Sequence, residues 1–145
     1  MKSRVCLTIV MSCLVTMGSH ISYASDAAKP ADGMQSFTRL PAEELKTADN
    51  QIKLFKYWSL ARCGAAVSKQ AGSQPLQEDW SNTASAYLEY MTVPLEANEA
   101  AETLVQEFLK TTRSGSTGGS YETMKCIDLF NSKELDALAA QYIKK

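Results

Sequence analysis

The sequence predicts an all-α fold: a compact bundle of about five helices stapled by one disulfide. Three observations point there. Apolar residues recur at helical spacing through most of residues 47 to 142, with Gly and Pro at the breaks. No segment of useful length alternates apolar and polar residues as a half-buried strand does, and no internal repeat is present. Once a leader is set aside, only two cysteines remain, in a chain addressed to an oxidising compartment.

The leader comes first. The chain has 145 residues, and residues 1–24 read as an export signal. Lys2 and Arg4 form a positive n-region, and Val5 to Met17 is apolar with small polar interruptions. Ser22 and Ala24 put small residues where a signal peptidase inspects the chain, so cleavage is expected between Ala24 and Ser25. Two other readings compete. A membrane anchor would need an apolar run of ~20 residues, and this one is shorter. A lipoprotein would be acylated on Cys13, but the apolar stretch before it is short and Met11 is bulky for such a site. The expected localisation is the periplasm, with no membrane span in the mature chain.

Loss of the leader removes Lys2, Arg4, Cys6, Cys13 and His20, and takes the formal charge from −1 to −3. No histidine is left. That excludes a His-dependent triad or dyad and a His–Cys zinc site, and no cofactor or metal is expected. A mildly acidic domain also lacks the basic footprint of a nucleic-acid partner. The remaining length fits one domain, and at ~120 residues it buries roughly two thirds of its unfolded surface. We place that domain at residues 41–145, behind a polar arm at 25–40.

Cys63 and Cys126 are the two mature cysteines. In an oxidising compartment they are expected to pair, and closing so long a loop stabilises by roughly 4 kcal/mol on the chain-entropy model. The competing reading makes one of them a nucleophile. That requires a base to generate thiolate, and the mature chain has no His for it.

The elements follow in order. Residues 25–40 hold Pro30 and Gly33 and show no period. Pro41 with Glu43 and Glu44 is a helix-start signal. From Thr47 on, Ile52, Leu54, Phe55, Trp58 and Ala61 cover more than one stripe, so this helix should be enclosed by others. Gly64 sits inside it and marks a close helix crossing. Gly72 and Pro75 end the segment. The second helix runs from about Glu78 to Met91, with Trp80, Ala84, Tyr87, Leu88 and Met91 on one face. Pro94 opens a third helix, where Ala97, Ala100, Ala101, Leu104, Val105, Phe108 and Leu109 form the buried stripe. Residues 112–120 have three glycines and no apolar residue, the composition of a mobile loop. A fourth helix spans about Tyr121 to Phe130, with Met124, Ile127 and Phe130 on one side. Asn131 and Glu134 have capping-box spacing and start the last helix.

Candidate chemistry is sparse. Glu99, Glu102 and Glu107 read as a solvated surface. Asp128, between two apolar residues, reads as a boundary carboxylate taking a hydrogen bond or ion pair. No H-E-x-x-H, G-x-S-x-G, Walker or EF-hand spacing occurs. Tyr90 lies off the apolar stripe of its helix and is a candidate for a surface contact. What stands out is a flexible polar loop held between rigid helices, where binding function tends to live; an idle connector is the plain alternative.

The run from Tyr121 to Leu138, YETMKCIDLFNSKELDAL, resembles the C-terminal signature of the type VI secretion amidase immunity proteins, fourth class. TMKCID (123–128) and SKELD (132–136) carry most of the likeness. SAYLE (85–89) is similar to that family's middle helix, and WSLARC (58–63) fits its first long helix ending in a Cys. The resemblance covers about residues 47–140. It implies a small, periplasmic, all-helical protein that is not an enzyme. Its partner would be a peptidoglycan amidase effector with a Cys–His pair, which cuts peptide stems between D-glutamate and diaminopimelate. The implied assembly is a homodimer holding two effectors, a 2:2 complex. One protomer inserts a loop into the active-site cleft and a helix of the other adds contacts.

Carried over by position, Cys63 and Cys126 match the family's cysteines. The inserting loop falls on Arg113, Ser114, Gly115, Ser116, Thr117, Gly118, Gly119 and Ser120. Its small residues suit a narrow cleft, its hydroxyls can hydrogen-bond there, and Arg113 can pair with an acid. The second contact is expected from Glu78, Asp79, Ser85, Glu89 and Tyr90. Two readings from other classes remain beside this one: a periplasmic helical chaperone or stress protein with apolar grooves, and a hydrolase using Cys63 or Cys126.

Overall fold

The computed structural model describes residues 39–116 and 118–144. They form six helices: α1 (Ala42–Leu45), α2 (Ala48–Gln70), α3 (Gln74–Leu88), α4 (Leu95–Lys110), α5 (Glu122–Phe130) and α6 (Lys133–Tyr142). No strand occurs among the described residues. The all-α expectation holds. The helix beyond the expected five or so is α1, a single turn separated from α2 because Thr47 takes an extended conformation (φ −62°, ψ 145°).

The long helix α2 is the axis of the bundle, packed against every other helix. Its apolar residues cover more than one face, as the sequence requires: Leu54, Phe55, Trp58, Ala61 and Cys63 are all buried. Each fully buried large side chain here is worth ~1.5–3 kcal/mol. Gly64 is a close-crossing point, as expected. A Cβ at this position would lie 2.5 Å from Cδ2 of Trp80, so the indole of α3 occupies the space a side chain would need. One residue earlier, Cys63 is bonded to Cys126 of α5, with Cα atoms 5.6 Å apart.

The first turns of α2 are tied down by a buried glutamine. Gln51 Nε2 donates to the carbonyls of Leu45 (2.7 Å) and Tyr90 (3.0 Å), while its Oε1 accepts from the Thr92 amide (2.7 Å) and hydroxyl (3.0 Å). One side chain thus joins α1, α2 and the α3–α4 connection, and all its buried polar atoms are satisfied. At the other end, Gly72 (φ 69°) closes α2 with the Ser73 amide on the Ser68 carbonyl and its own amide on Lys69, a Schellman motif. Pro75 does not end that segment. It sits in the first turn of α3, where its missing N–H costs nothing.

Helix α3 lies at the edge. Only Ala84 is buried, with Trp80 and Tyr87 partly covered against the core. Leu88 was expected inside and is 45% exposed, because the helix ends there and turns away before it can pack. Helix α4 buries Ala97, Ala101, Val105 and Leu109, one residue per turn.

The expected apolar side of α5 needs correcting. Met124 and Ile127 are exposed, whereas Lys125, Cys126 and Leu129 face the interior. The disulfide turns Cys126 inward, and Lys125 follows because its hydrocarbon stem packs while its ammonium reaches polar atoms. Lys125 Nζ donates to the Leu109 carbonyl at the end of α4 (2.9 Å) and to Glu122 Oε1 (2.9 Å). The cap of α6 is also one residue later than the Asn131 spacing suggests. Ser132 Oγ accepts from the Leu135 amide, and the Asn131 side chain instead donates to the Ile127 carbonyl at the end of α5.

Two outcomes are expected from this packing. Cys63→Ser should lower unfolding stability by about 2–4 kcal/mol, read as a lower urea midpoint with a steeper slope, since the unfolded chain is then less compact; an unchanged midpoint would mean the crosslink contributes nothing. Lys125→Met keeps the stem but leaves the Leu109 carbonyl and Glu122 without their donor. It should cost about 1–3 kcal/mol in the same measurement, and a neutral result would refute the tie between α4 and α5.

Candidate functional site: the α4–α5 loop and its platform

The connection between α4 and α5 is anchored at both roots. Thr111 Oγ1 donates to the Phe108 carbonyl (2.6 Å), and Lys125 holds the last turn of α4. Arg113 forms an ion pair with Asp128 of α5. Asp128 is therefore the paired boundary carboxylate expected, and the partner is a loop residue of the same chain. Glu102, read as a solvated surface group, is likewise paired, with Arg62 of α2.

Beyond Arg113 the chain is exposed at Ser114, Gly115, Ser116, Gly118, Gly119 and Ser120, while Thr117 lies outside the described residues. The Gly118 amide donates to the Gly115 carbonyl (3.1 Å), and Gly118 itself has φ 71°. The loop returns to α5 through Tyr121, which has a left-handed conformation (φ 52°, ψ 36°). Among the described residues it is the one non-glycine with positive φ, a geometry costing ~1–2 kcal/mol for an L side chain. Its ring lies against the loop. A Cβ on Gly115 would come within 2.6 Å of Tyr121 Cζ, and one on Gly119 within 3.5 Å of Cε2.

Beside this ring a groove of about 860 Å³ opens between the end of α2 (Val67, Gln70, Ala71) and α5 (Met124, Ile127). A second hollow of about 210 Å³ shares Val67 and Ile127 with it and reaches Leu76 and Trp80 of α3. Leu76, Met124 and Ile127 are large apolar residues left exposed there. The sequence places Met124 and Ile127 on one side of α5 but does not show that this side faces out. Cys126 was the available signal: a bonded cysteine fixes which face of a nine-residue helix turns inward.

The residues expected to make the second contact, Glu78, Asp79, Ser85, Glu89 and Tyr90, are all exposed. Glu78 accepts from Gln74 Nε2 (2.8 Å), and the Tyr90 carbonyl belongs to the Gln51 network. Glu78, Ser85 and Glu89 fall on one face of the helix, but Glu89 is roughly 17 Å further along it than Glu78 by helical rise. Only the start of α3 shares an end of the bundle with the groove. The proposed leader, its Ala24–Ser25 junction, and nearly all of the arm at 25–40 lie outside the described residues.

The chemistry available here is recognition. Cys63 and Cys126 are consumed in one disulfide, which removes the thiolate a Cys63 or Cys126 hydrolase would need. Among the described residues no three of His, Cys, Asp or Glu gather as a metal site. No described helix is long and apolar enough to cross a membrane.

Comparison with known proteins agrees with this geometry. The family model for Tai4, the type VI secretion system (T6SS) amidase immunity protein, matches residues 53–139. The fold is similar to the Tae4/Tai4 effector–immunity system of Salmonella typhimurium, at 28% identity and TM-score 0.62, covering 77% of this chain and 100% of that one. It is similar to a chain of the Tae4–Tai4 complex of Enterobacter cloacae, at 25% identity and TM-score 0.59, covering 74% and 97%. A structure described under T6SS-secreted toxins and self-resistance proteins of Serratia marcescens matches at 25% identity and TM-score 0.59, covering 78% and 90%. No curated protein sequence matches at the same stringency. With the family model spanning more than half of its length, the chain belongs to the Tai4 family of type VI secretion system amidase immunity proteins.

Proposed function

We propose that the protein protects the periplasm by binding a peptidoglycan amidase effector of the type VI secretion system and blocking its active-site cleft with the loop from Arg113 to Ser120. The observation that carries this reading is the loop itself: exposed, built from small polar residues, and rooted on two helices, of which α5 is crosslinked to the axis of the bundle. Such a segment enters a cleft at low ordering cost, because its ends are already placed. Solved relatives support an amidase partner. A Tai4 from Enterobacter cloacae is in complex with the Tae4 effector of Salmonella typhimurium, and that structure matches this chain at 27% identity and TM-score 0.57.

In this reading the protein is an inhibitor and performs no catalysis. It works in the periplasm after cleavage between Ala24 and Ser25, as a homodimer in a 2:2 complex. The surface along α3 and just past its end, with Glu78, Asp79, Ser85, Glu89 and Tyr90, belongs to the protomer that does not insert its loop, which accommodates the distance of Glu89 and Tyr90 from the loop end. Exposed Leu76, Met124 and Ile127 supply apolar surface of the kind interfaces use.

Deleting Ser114–Gly119 should abolish inhibition of the amidase, followed as muropeptide cleavage, while far-UV circular dichroism shows unchanged helicity. Undiminished inhibition by the deletion variant would refute loop insertion.

A further inference from the structure

The loop's glycines are not equivalent, and their differences converge on one side chain. At Gly115 an added Cβ would collide with the Tyr121 side chain, closest to the hydroxyl oxygen and at 2.6 Å from Cζ and 2.9 Å from Cε2 of the ring. At Gly119 the same atom would meet the ring at 3.5 Å, an ordinary van der Waals contact. At Gly118 it would meet nothing within 4 Å, but the backbone there has φ 71°. Tyr121 is itself held in a left-handed conformation at the point where the loop becomes α5. An aromatic residue persists in that region only where its surroundings fix it. Those surroundings include the Tyr121 carbonyl, which accepts the Met124 (3.0 Å) and Lys125 (3.3 Å) amides of the first turn of α5.

We propose that Tyr121 is a positioning residue for the loop: its ring is a platform on which the backbone at Gly115 and Gly119 rests, so that the loop is presented in one conformation. Gly115 is glycine because the ring lies where its side chain would be, Gly118 because of its backbone angle, and Gly119 has no such requirement. The Arg113–Asp128 pair fixes the incoming strand of the loop, and the ring fixes the returning one. The inference deepens the inserting-loop reading and rests on it only for effector binding; the positioning itself is measured without an effector.

The test is a double-mutant cycle on the full, oxidised chain, read by amide hydrogen exchange at Gly118, whose N–H donates to Gly115. Tyr121→Asn accepts the left-handed backbone but removes the ring, and should raise Gly118 exchange at least tenfold. Tyr121→Phe keeps the ring and removes only the hydroxyl, so it should raise exchange less than Tyr121→Asn does. Gly115→Ala should raise it tenfold in the native background and add no more than twofold to Tyr121→Asn, because the clash is then gone. Gly119→Ala should have no effect. Exchange of the Leu129 and Leu135 amides, in the core, reports whether global stability has changed. Unaltered Gly118 exchange in Tyr121→Asn, or equal effects of Gly115→Ala in both backgrounds, would overturn the proposal.

In a parallel arm, dissociation from a type VI amidase that the native chain inhibits should quicken for Tyr121→Asn and quicken less for Tyr121→Phe. If exchange follows the cycle but deletion of Ser114–Gly119 leaves inhibition intact, the positioning stands and the insertion reading fails. If deletion abolishes inhibition but exchange ignores the ring, the reverse holds.

Discussion

The bond between Cys63 and Cys126 sets where the rest of the molecule can lie. It joins the middle of the long helix α2 to the short helix α5, and α5 is too short to be stable as an isolated helix in water. Once Cys126 is turned inward, Lys125 and Leu129 must follow, and Met124 and Ile127 must face out. Lys125 then reaches the end of α4, and Asp128 is left at the surface where Arg113 can meet it. The geometry of the loop's roots is therefore a consequence of one covalent tie and the helical phase it imposes.

Small residues decide how closely the helices approach that tie. Gly64 lets the indole of Trp80 lie against the backbone of α2 next to the disulfide. Ala97 and Ala101 are completely covered at the start of α4. Because large side chains are few at these contacts, the molecule relies on close approach, a crosslink and a few well-satisfied polar ties such as Gln51. A rigid body of this kind suits a protein whose presented part is a short polar loop. The stiffness of the scaffold limits how much entropy is lost when the loop is bound.

Much of this was legible in the sequence, for identifiable reasons. The α4 stripe is long, alanine-rich and free of Gly, so its period is unambiguous. Gly64, flanked by Cys63, Ala65 and Ala66 inside a long helix, reads as a crossing point. The cysteine pairing followed from counting within an oxidising compartment. Legibility failed where a helix was too short for its period to fix a face. Nine residues of α5 allow either Met124–Ile127 or Cys126–Leu129 as the inner side, and a buried lysine between them reads as polar. It failed again at Thr47 and Ser132, where one residue's backbone angle or hydroxyl decides an end. Gln51 carried no signal at all, since two of its three partner residues, Tyr90 and Thr92, lie 39 and 41 residues away. For the loop, glycine content suggested mobility, whereas Gly115 is required by contact with a ring six residues later.

In the proposed function this bundle is a stoichiometric blocker of one class of cell-wall amidase. The most direct measurement is a titration of a type VI amidase with the oxidised protein spanning residues 25–145, following muropeptide cleavage. The account predicts a sharp end point near one protomer per enzyme. Full activity at large excess, repeated across a panel of related amidases, would contradict it.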